Sequence, residues 1–246
     1  MGDTSKTVHQ ALLALEALRD GGPGTVTDLA RRLGLSRTVM TRLVTTLEQH
    51  DLVRRTGDGI DLGFGLLDLA TGLAATLRDT ARPFLQELAV RFHETAVLAV
   101  ADHDMAVAVD QVVPDRRLVR VHYRAGTRHS LADAAHGRAM LAFAPAAVSR
   151  MGTLPAPAEL EHELAVVRRR GYAVSHDELE TGVAGLAAPV LDHTGVAIAS
   201  VGVVAPVTRL PAERTLGPAV VDAAERITAA LADTGERFRP AVRTSA

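Results

Sequence analysis

The chain reads as an α+β protein: an N-terminal winged helix-turn-helix, a connecting helix, then an antiparallel sheet with helices packed on it. Two observations predict this. Residues 27–47, TDLARRLGLSRTVMTRLVTTL, set two amphipathic helical patterns either side of a glycine. From Thr95 onward, short β-branched runs separated by turn residues replace the helical spacing, with helical stretches between and after them.

Taken in order, Thr7–Leu18 predicts a first helix whose Val8, Ala11, Leu12 and Leu15 pack on the pair that follows. Thr27 is placed as the N-cap of a second helix with Leu29, Ala30 and Leu33 as its apolar face. Gly34 ends that helix in the left-handed region, which costs little without a Cβ. Leu35 turns inward, and Ser36 caps a third helix. There Met40, Leu43, Val44 and Leu47 share one face, while Arg37, Thr38, Thr41 and Arg42 share the other. A helix buried on one side and short, polar and cationic on the other is what a major groove accepts. Leu52–Arg55 and Ile60–Leu62 flank a Gly-Asp-Gly turn, a hairpin signal that supplies the wing.

Gly63-Phe64-Gly65 breaks the pattern, and Leu66–Leu77 predicts a connecting helix too apolar for one buried face, suited to packing on a partner chain. Ala81-Arg82-Pro83 is read as a helix restart with proline near its first position, continuing to Phe92. Strands are predicted at Thr95–Ala101, Ala106–Val113 and Leu118–Arg124, and helices at Gly137–Phe143 and Leu160–Arg170. A hairpin of Val183–Leu191 and Val196–Val204 follows, then a last helix from about Pro211 to Thr234 and a frayed tail. The expected domains are 1–63 for the DNA-binding unit, 64–80 for the connecting helix and 81–246 for the C-terminal domain.

Charge is local rather than global. Lys and Arg number 27 against 29 Asp and Glu, a formal −2, yet six arginines between Arg31 and Arg55 face only Glu48 and Asp51. That suits phosphate neutralisation over a limited footprint, to which Arg54 and Arg55 are further candidates. Some of the six are equally placed to be an ordinary solvated face. The absence of cysteine removes disulfides and thiolate chemistry and fits a cytoplasmic protein. No apolar run approaches the ~20 residues of a membrane span.

The helix-turn-helix and wing, followed by Leu62-Gly63-Phe64-Gly65-Leu66-Leu67-Asp68-Leu69, resemble the IclR family of bacterial transcriptional regulators. So do Ala81–Leu85, Ala135–Phe143, Arg170–Val174 and Ala187–Val190, in order over about residues 7–232. The resemblance implies a GAF-like C-terminal domain that binds a small-molecule effector. It also implies a dimer or dimer of dimers, and regulation, as a repressor rather than an activator, at a palindromic double-stranded DNA operator. Carried over by motif, the effector positions are Asp133, Ala134, His136, Ser175, Gly185, Gly202 and Val204. The family's small-carboxylate cradle has an Asp where Ser175 stands, a Cys at Gly185, and serines at Gly202 and Val204. Losing those donors implies a larger, more apolar effector than a two- or three-carbon acid. The alternatives are a pocket that has lost its ligand, or a register one residue out on the last strand. In the wing, Asp61 stands where a basic residue is usual, which weakens the hairpin's second strand as a DNA contact.

No enzyme motif is present: no HExxH, no GxSxG elbow and no phosphate loop. His103-Asp104, Asp133 with His136, and His176-Asp177-Glu178 are the only groupings that suggest chemistry, and Ser130 and Ser200 show no base partner. The chain is therefore expected to be no enzyme and to need no metal or cofactor. A constitutive DNA-binding protein whose C-terminal domain only oligomerises stays open, as does an enzyme with an appended DNA-binding unit.

Overall fold

The structure, a computed structural model, describes residues 5–71, 74–115, 118–144 and 158–233. The chain divides into two compact units between Ala75 and Thr76, inside the stretch read as a connecting helix.

The first unit begins with α1 (Lys6–Gly21), α2 (Val26–Arg32) and α3 (Arg37–Gln49), followed by the hairpin β1 (Val53–Thr56) and β2 (Gly59–Leu62). Its core gathers Ala14, Leu18, Leu29, Met40, Val44, Leu47, Val53 and Ile60. The buried face of α1 differs from the expected one. Val8 and Leu12 are exposed, and the face that packs is Ala14 and Leu18 with Ala11 and Leu15 partly buried. The window is apolar nearly all round, so its spacing alone did not select a face.

Helix α4 (Gly65–Thr71) and helix α5 (Ala75–Phe92) replace the single connecting helix expected over 66–77, with Ala74 at φ 52° just before α5. Nor does proline restart a helix. Pro83 lies inside α5, because Leu77, Ala81, Leu85 and Leu88 form one buried stripe on both sides of it. That continuous burial outweighs the lost i→i−4 hydrogen bond.

The second unit is built on a six-stranded antiparallel sheet of order β5-β4-β3-β8-β7-β6. Its strands are β3 (Thr95–Asp102), β4 (Met105–Val112), β5 (Arg128–Ser130), β6 (Ala173–His176), β7 (Val183–Leu191) and β8 (Ala197–Pro206). Helices α6 (Ala134–Leu141), α7 (Ala158–Arg170) and α8 (Glu213–Asp233) complete it. Helix α6 packs on β6, β7 and β8 and is backed by α7, and α8 packs on β7 and β8. Strand β6 reaches only Ala184–Ala187 of β7, so Pro189 stands where β7 has a free edge.

The strand expected at Leu118–Arg124 does not form. The edge strand beside β4 is Arg128–Ser130, and 118–124 is held by side chains instead of a ladder. Thr95 Oγ1 donates to the Val121 carbonyl at 2.6 Å, the Gln111 amide oxygen accepts from the Tyr123 N–H at 2.9 Å, and Arg209 Nη2 donates to the Val119 carbonyl at 2.9 Å. The β-branched pattern there marks a segment that buries Tyr123, not one that pairs. The end expected for the last helix at Thr234, and the tail after it, lie outside the described residues.

Gly202, taken from motif matching as an effector position, has a different reason to be glycine. It sits opposite Ala187 and Val97, and a Cβ on it would lie 2.8 Å from the Ala187 Cβ and closer still to the Leu186 carbonyl. Gly202→Ala is expected to cost about 1–3 kcal/mol, the range for overpacking a fixed core. Urea unfolding followed by circular dichroism checks it, and an unchanged midpoint would contradict the packing argument.

Candidate functional site

The first candidate surface is the exposed face of α3. Ser36 caps this helix, its hydroxyl accepting from the Val39 N–H at 3.3 Å. Gly34, at φ 64°, makes the turn before it. Burial of Met40, Leu43, Val44 and Leu47 leaves Arg37, Thr38, Thr41 and Arg42 outside. Thr41 gives its hydroxyl proton to the Arg37 carbonyl at 2.8 Å, so it offers a methyl group and an acceptor outward. Thr27 is not a cap. The cap of α2 is Thr25, whose hydroxyl accepts from the Asp28 N–H while the Asp28 carboxylate accepts from the Thr25 N–H. This capping box gives both ends a partner, and Thr27 sits two residues too late, exposed within the helix.

The six local arginines are not equivalent. Arg31 pairs with Asp28 at 2.7 Å, Arg55 with Glu48 at 3.1 Å and Arg54 with Asp61 at 3.1 Å. Arg54 also lies over the Phe64 ring, 4.8 Å from its centroid, and Arg32 is directed at the Ala17 carbonyl. Among the described residues, no side-chain partner exists for Arg37 or Arg42. Pairing of Arg31, Arg54 and Arg55 with acids thus leaves the local positive charge on Arg37 and Arg42 of α3 and on Arg32. Asp61, the unexpected acid of the wing, is one of the pairing groups.

The second candidate is a cavity of about 360 Å³ in the second unit. Its floor is three residues side by side on adjacent strands: Ser175 on β6 opposite Gly185 on β7, and Gly185 opposite Val204 on β8. The sequence placed all three in an effector site, and the structure brings them together. Ala134 and His136, at the start of α6, also line it. Asp133 and Gly202 do not: Asp133 is exposed at the N-cap position and makes no side-chain cap bond.

Glu178 takes over the cap. Its carboxylate accepts from the Ala134 N–H at 3.0 Å and from Arg138 at 2.6 Å through each of two nitrogens. Ala134 is held there at φ 58°, a costly conformation for a residue with a Cβ. Burial alone would raise the Glu178 pKa, but the Arg138 bonds and charge and the two backbone bonds hold it below the usual carboxylate value.

The buried polar part of the lining includes a cluster of three rings. Tyr123 lies edge-on to His129, with centroids 6.1 Å apart, and tilted on His136 at 6.2 Å. His136 Nδ1 is 2.9 Å from the Ser200 hydroxyl, and His129 Nδ1 is 2.9 Å from the Ser130 carbonyl. Tyr123 Oη, His129 Nε2 and His136 Nε2 have no partner among the described residues. A buried polar atom left so costs about 1–3 kcal/mol, which marks the cluster as built for something else. Burial, aided by the neighbouring His129, pushes His136 down to about 3. Burial also lowers His129, opposed by the Ser130 carbonyl and Asp133, and it raises the Tyr123 phenol.

Ser200 thus has the base partner the sequence did not reveal, but the pair is not set up for catalysis. Ser200 is fully buried, and an imidazole this acidic does not take a proton at neutral pH. Among the described residues no group of His, Asp and Glu is arranged to hold a metal ion, and no helix is long and apolar enough to cross a membrane. Sequence reasoning missed Tyr123, His129 and Glu178. The signal available was the run VHYRAGTRH at 121–129, two histidines and one of only two tyrosines in a segment read as strand.

Comparison with known proteins places both units. The family described as "Bacterial transcriptional regulator IclR C-terminal" matches residues 73–229, and the MarR family matches residues 7–61. The chain is 28% identical to the HTH-type transcriptional regulator BhcR of Paracoccus denitrificans, over 94% of this chain and 90% of that one. It is 28% identical to the transcriptional repressor IclR of Escherichia coli, over 92% and 89%. An IclR homolog from Microbacterium hydrocarbonoxydans, solved in complex with 4-hydroxybenzoate, superposes with a TM-score of 0.77 at 25% identity, covering 93% of this chain and all of that one. These relatives are transcriptional regulators, not enzymes.

Two results follow. Thr25→Ala is expected to destabilise the first unit by about 0.5–2 kcal/mol and Thr27→Ala hardly at all, measured by chemical denaturation. For the second unit the sign is fixed by the histidines. With a native pKa of about 3 against 6.5 unfolded, His136 contributes stability that is complete above 6.5 and is lost as the pH falls below it. The slope is up to about 1.4 kcal/mol per pH unit. His136→Gln should flatten that acid-side slope, and an unaltered slope would show that His136 does not produce it.

Proposed function

Because the chain belongs to the IclR family of bacterial transcriptional regulators, we propose that it is a ligand-responsive repressor. It binds a palindromic operator as a dimer or dimer of dimers and responds to an effector held in the second-unit cavity. The observation that carries the DNA half is the face of α3, where Arg37 and Arg42 stand without side-chain partners among the described residues while Arg31, Arg54 and Arg55 are paired with acids. In a major groove, one arginine reaches a base edge and the other a phosphate. Thr38 supplies a free hydroxyl, and Thr41 supplies its methyl to a thymine or its oxygen to a base amine. Ser36, at the helix N-terminus, lies where a phosphate is favoured. Arg54 and Arg55 are secondary contacts: breaking an exposed ion pair costs only about 0–1 kcal/mol, but Asp61 and Glu48 remain beside the phosphates.

Pairing of protomers is assigned to the segment around α4. Phe64, Leu67 and Leu69 are largely exposed there, more apolar surface than a monomer ordinarily leaves to water. Two recognition helices then read half-sites about one helical turn apart. Repression rather than activation rests on the family and on the Escherichia coli relative's description as a repressor. The effector reading rests on the cavity, whose volume sits at the lower end of the ~300–1,000 Å³ usual for ligand sites. That is ample for more than a two- or three-carbon acid. The relative with bound 4-hydroxybenzoate supports a ring-sized occupant.

The test is DNA binding as a function of salt, with a fragment from the intergenic DNA upstream of the gene. Arg37→Ala and Arg42→Ala are each expected to weaken binding. Each that contacts a phosphate should lower the slope of log affinity against log salt by about one. Arg55→Ala should change the slope by less than half of that. Unchanged affinity, slope and sequence preference in Arg42→Ala would remove α3 as the recognition helix.

A further inference from the structure

The cavity's polar groups identify its ligand by what they can exchange. The Ser130 carbonyl can only accept, so the proton of neutral His129 is on Nδ1, and Nε2 is a bare acceptor. Tyr123 keeps its phenolic proton and offers one donor and an acceptor. His136 Nε2 is a donor or an acceptor according to whether Ser200 gives or takes the proton at Nδ1. These three atoms belong to side chains more than nine-tenths buried, all lining the cavity and lacking partners among the described residues.

The lining holds no arginine or lysine without an acid partner; apart from the two buried imidazoles, its other basic group is the exposed His122. Arg128 is held by Asp102 at 2.5 Å. Arg138, outside the lining, is held by Glu178. Glu178 and Glu180 line the cavity, and the Asp133 carboxylate is close enough to act on His129. A carboxylate or phosphate ligand would be buried beside acids, with neutral rings in place of a counter-ion, and a buried charge without a partner is heavily penalised. Thr127 and Ser175 add neutral hydroxyls, and much of the remaining surface is apolar, from Val121, Val183, Ala184, Gly185 and Val204.

We propose that the effector is an uncharged, largely apolar molecule of ring size bearing a hydroxyl group, which donates to His129 Nε2 and accepts from Tyr123 Oη. One hydroxyl can satisfy two of the three orphaned groups at once, because it carries a donor and an acceptor on a single atom; His136 Nε2 is left for a second polar group or a water. The inference rests on the reading of this cavity as the effector site, and it narrows that reading to a class: alcohols and phenols in preference to acids. A site built to hydrogen-bond a hydroxyl also rejects the analogue without one, since its own buried groups then stay unpaired.

The test is isothermal calorimetry on the full chain with three probes of like shape: 4-ethylphenol, ethylbenzene and 4-ethylbenzoate. The phenol is expected to bind about tenfold or more tighter than either of the others. Tyr123→Phe and His129→Leu should each remove most of that preference, with ethylbenzene still bound at least as tightly as before, and an unaltered circular dichroism spectrum shows that the variants fold. Tighter binding of the benzoate, a phenol preference unaltered in both variants, or no saturable binding of the phenol at millimolar concentration would overturn the proposal. Parallel DNA titrations keep the two readings apart. Phenol binding without any change in DNA affinity supports the ligand class and overturns effector control. A benzoate that changes DNA affinity does the reverse.

Discussion

The second unit depends on how closely α6 can approach the sheet. The strand positions beneath it are small: Ala99, Ala106, Ala187, Gly185, Gly202 and Ser200. Small side chains let the helix sit low enough for His136 to reach the Ser200 hydroxyl at 2.9 Å. That approach sinks the imidazole out of water, and desolvation keeps it neutral. Toward the Gly185 end, the same smallness leaves the floor open between Ser175 and Val204, and the cavity is the space that results. Packing, protonation state and cavity chemistry therefore share one cause. A larger side chain at Gly185 would meet Val204 and Ser175 at 3.3 and 3.4 Å, closing the floor from below.

The first unit solves a different problem. Six arginines within one short stretch repel one another, and three are neutralised: Arg31 by Asp28 on its own helix, Arg55 and Arg54 by Glu48 and Asp61 on neighbouring elements. Such exposed pairs add little stability. Their consequence is spatial: they decide which cations remain available to a polyanion. The acid at position 61 reads in sequence as a flaw in a DNA-binding wing, and in the fold as the partner of Arg54. The field that steers DNA is then narrower than the arginine count suggests, and centred on α3.

Much of this was legible from local patterns. The two faces of α3, the turn at Gly34, the Ser36 cap and the hairpin follow from spacing and turn chemistry, and these are short-range effects. The adjacency of Ser175, Gly185 and Val204 was also legible, because motif order carries register. What stayed hidden depends on tertiary partners. Nothing local says that 118–124 finds side-chain partners at Thr95, Gln111 and Arg209 instead of a neighbouring strand. Nothing local says that Pro83 stays inside a helix, or that Glu178, far along the chain, caps α6. The near miss at Thr27 arose because Thr25 and Thr27 are both reasonable caps; only the reciprocal bond with Asp28 separates them. Of the residues that define the cavity's chemistry, Tyr123 sits in the segment whose conformation local rules misread, and His129 on the short edge strand just after it that they did not show.

The central claim is that this cavity presents neutral imidazoles to its ligand, so that hydroxyl chemistry rather than charge is what it recognises. The most direct measurement is side-chain nitrogen NMR of the histidines through a pH titration. His136 should hold neutral shifts from pH 8 down to about 5, well below the ~6.5 of an unperturbed imidazole, and His129 should titrate below that reference with its proton on Nδ1. Titration of both rings near 6.5, or a His129 proton on Nε2, would contradict it.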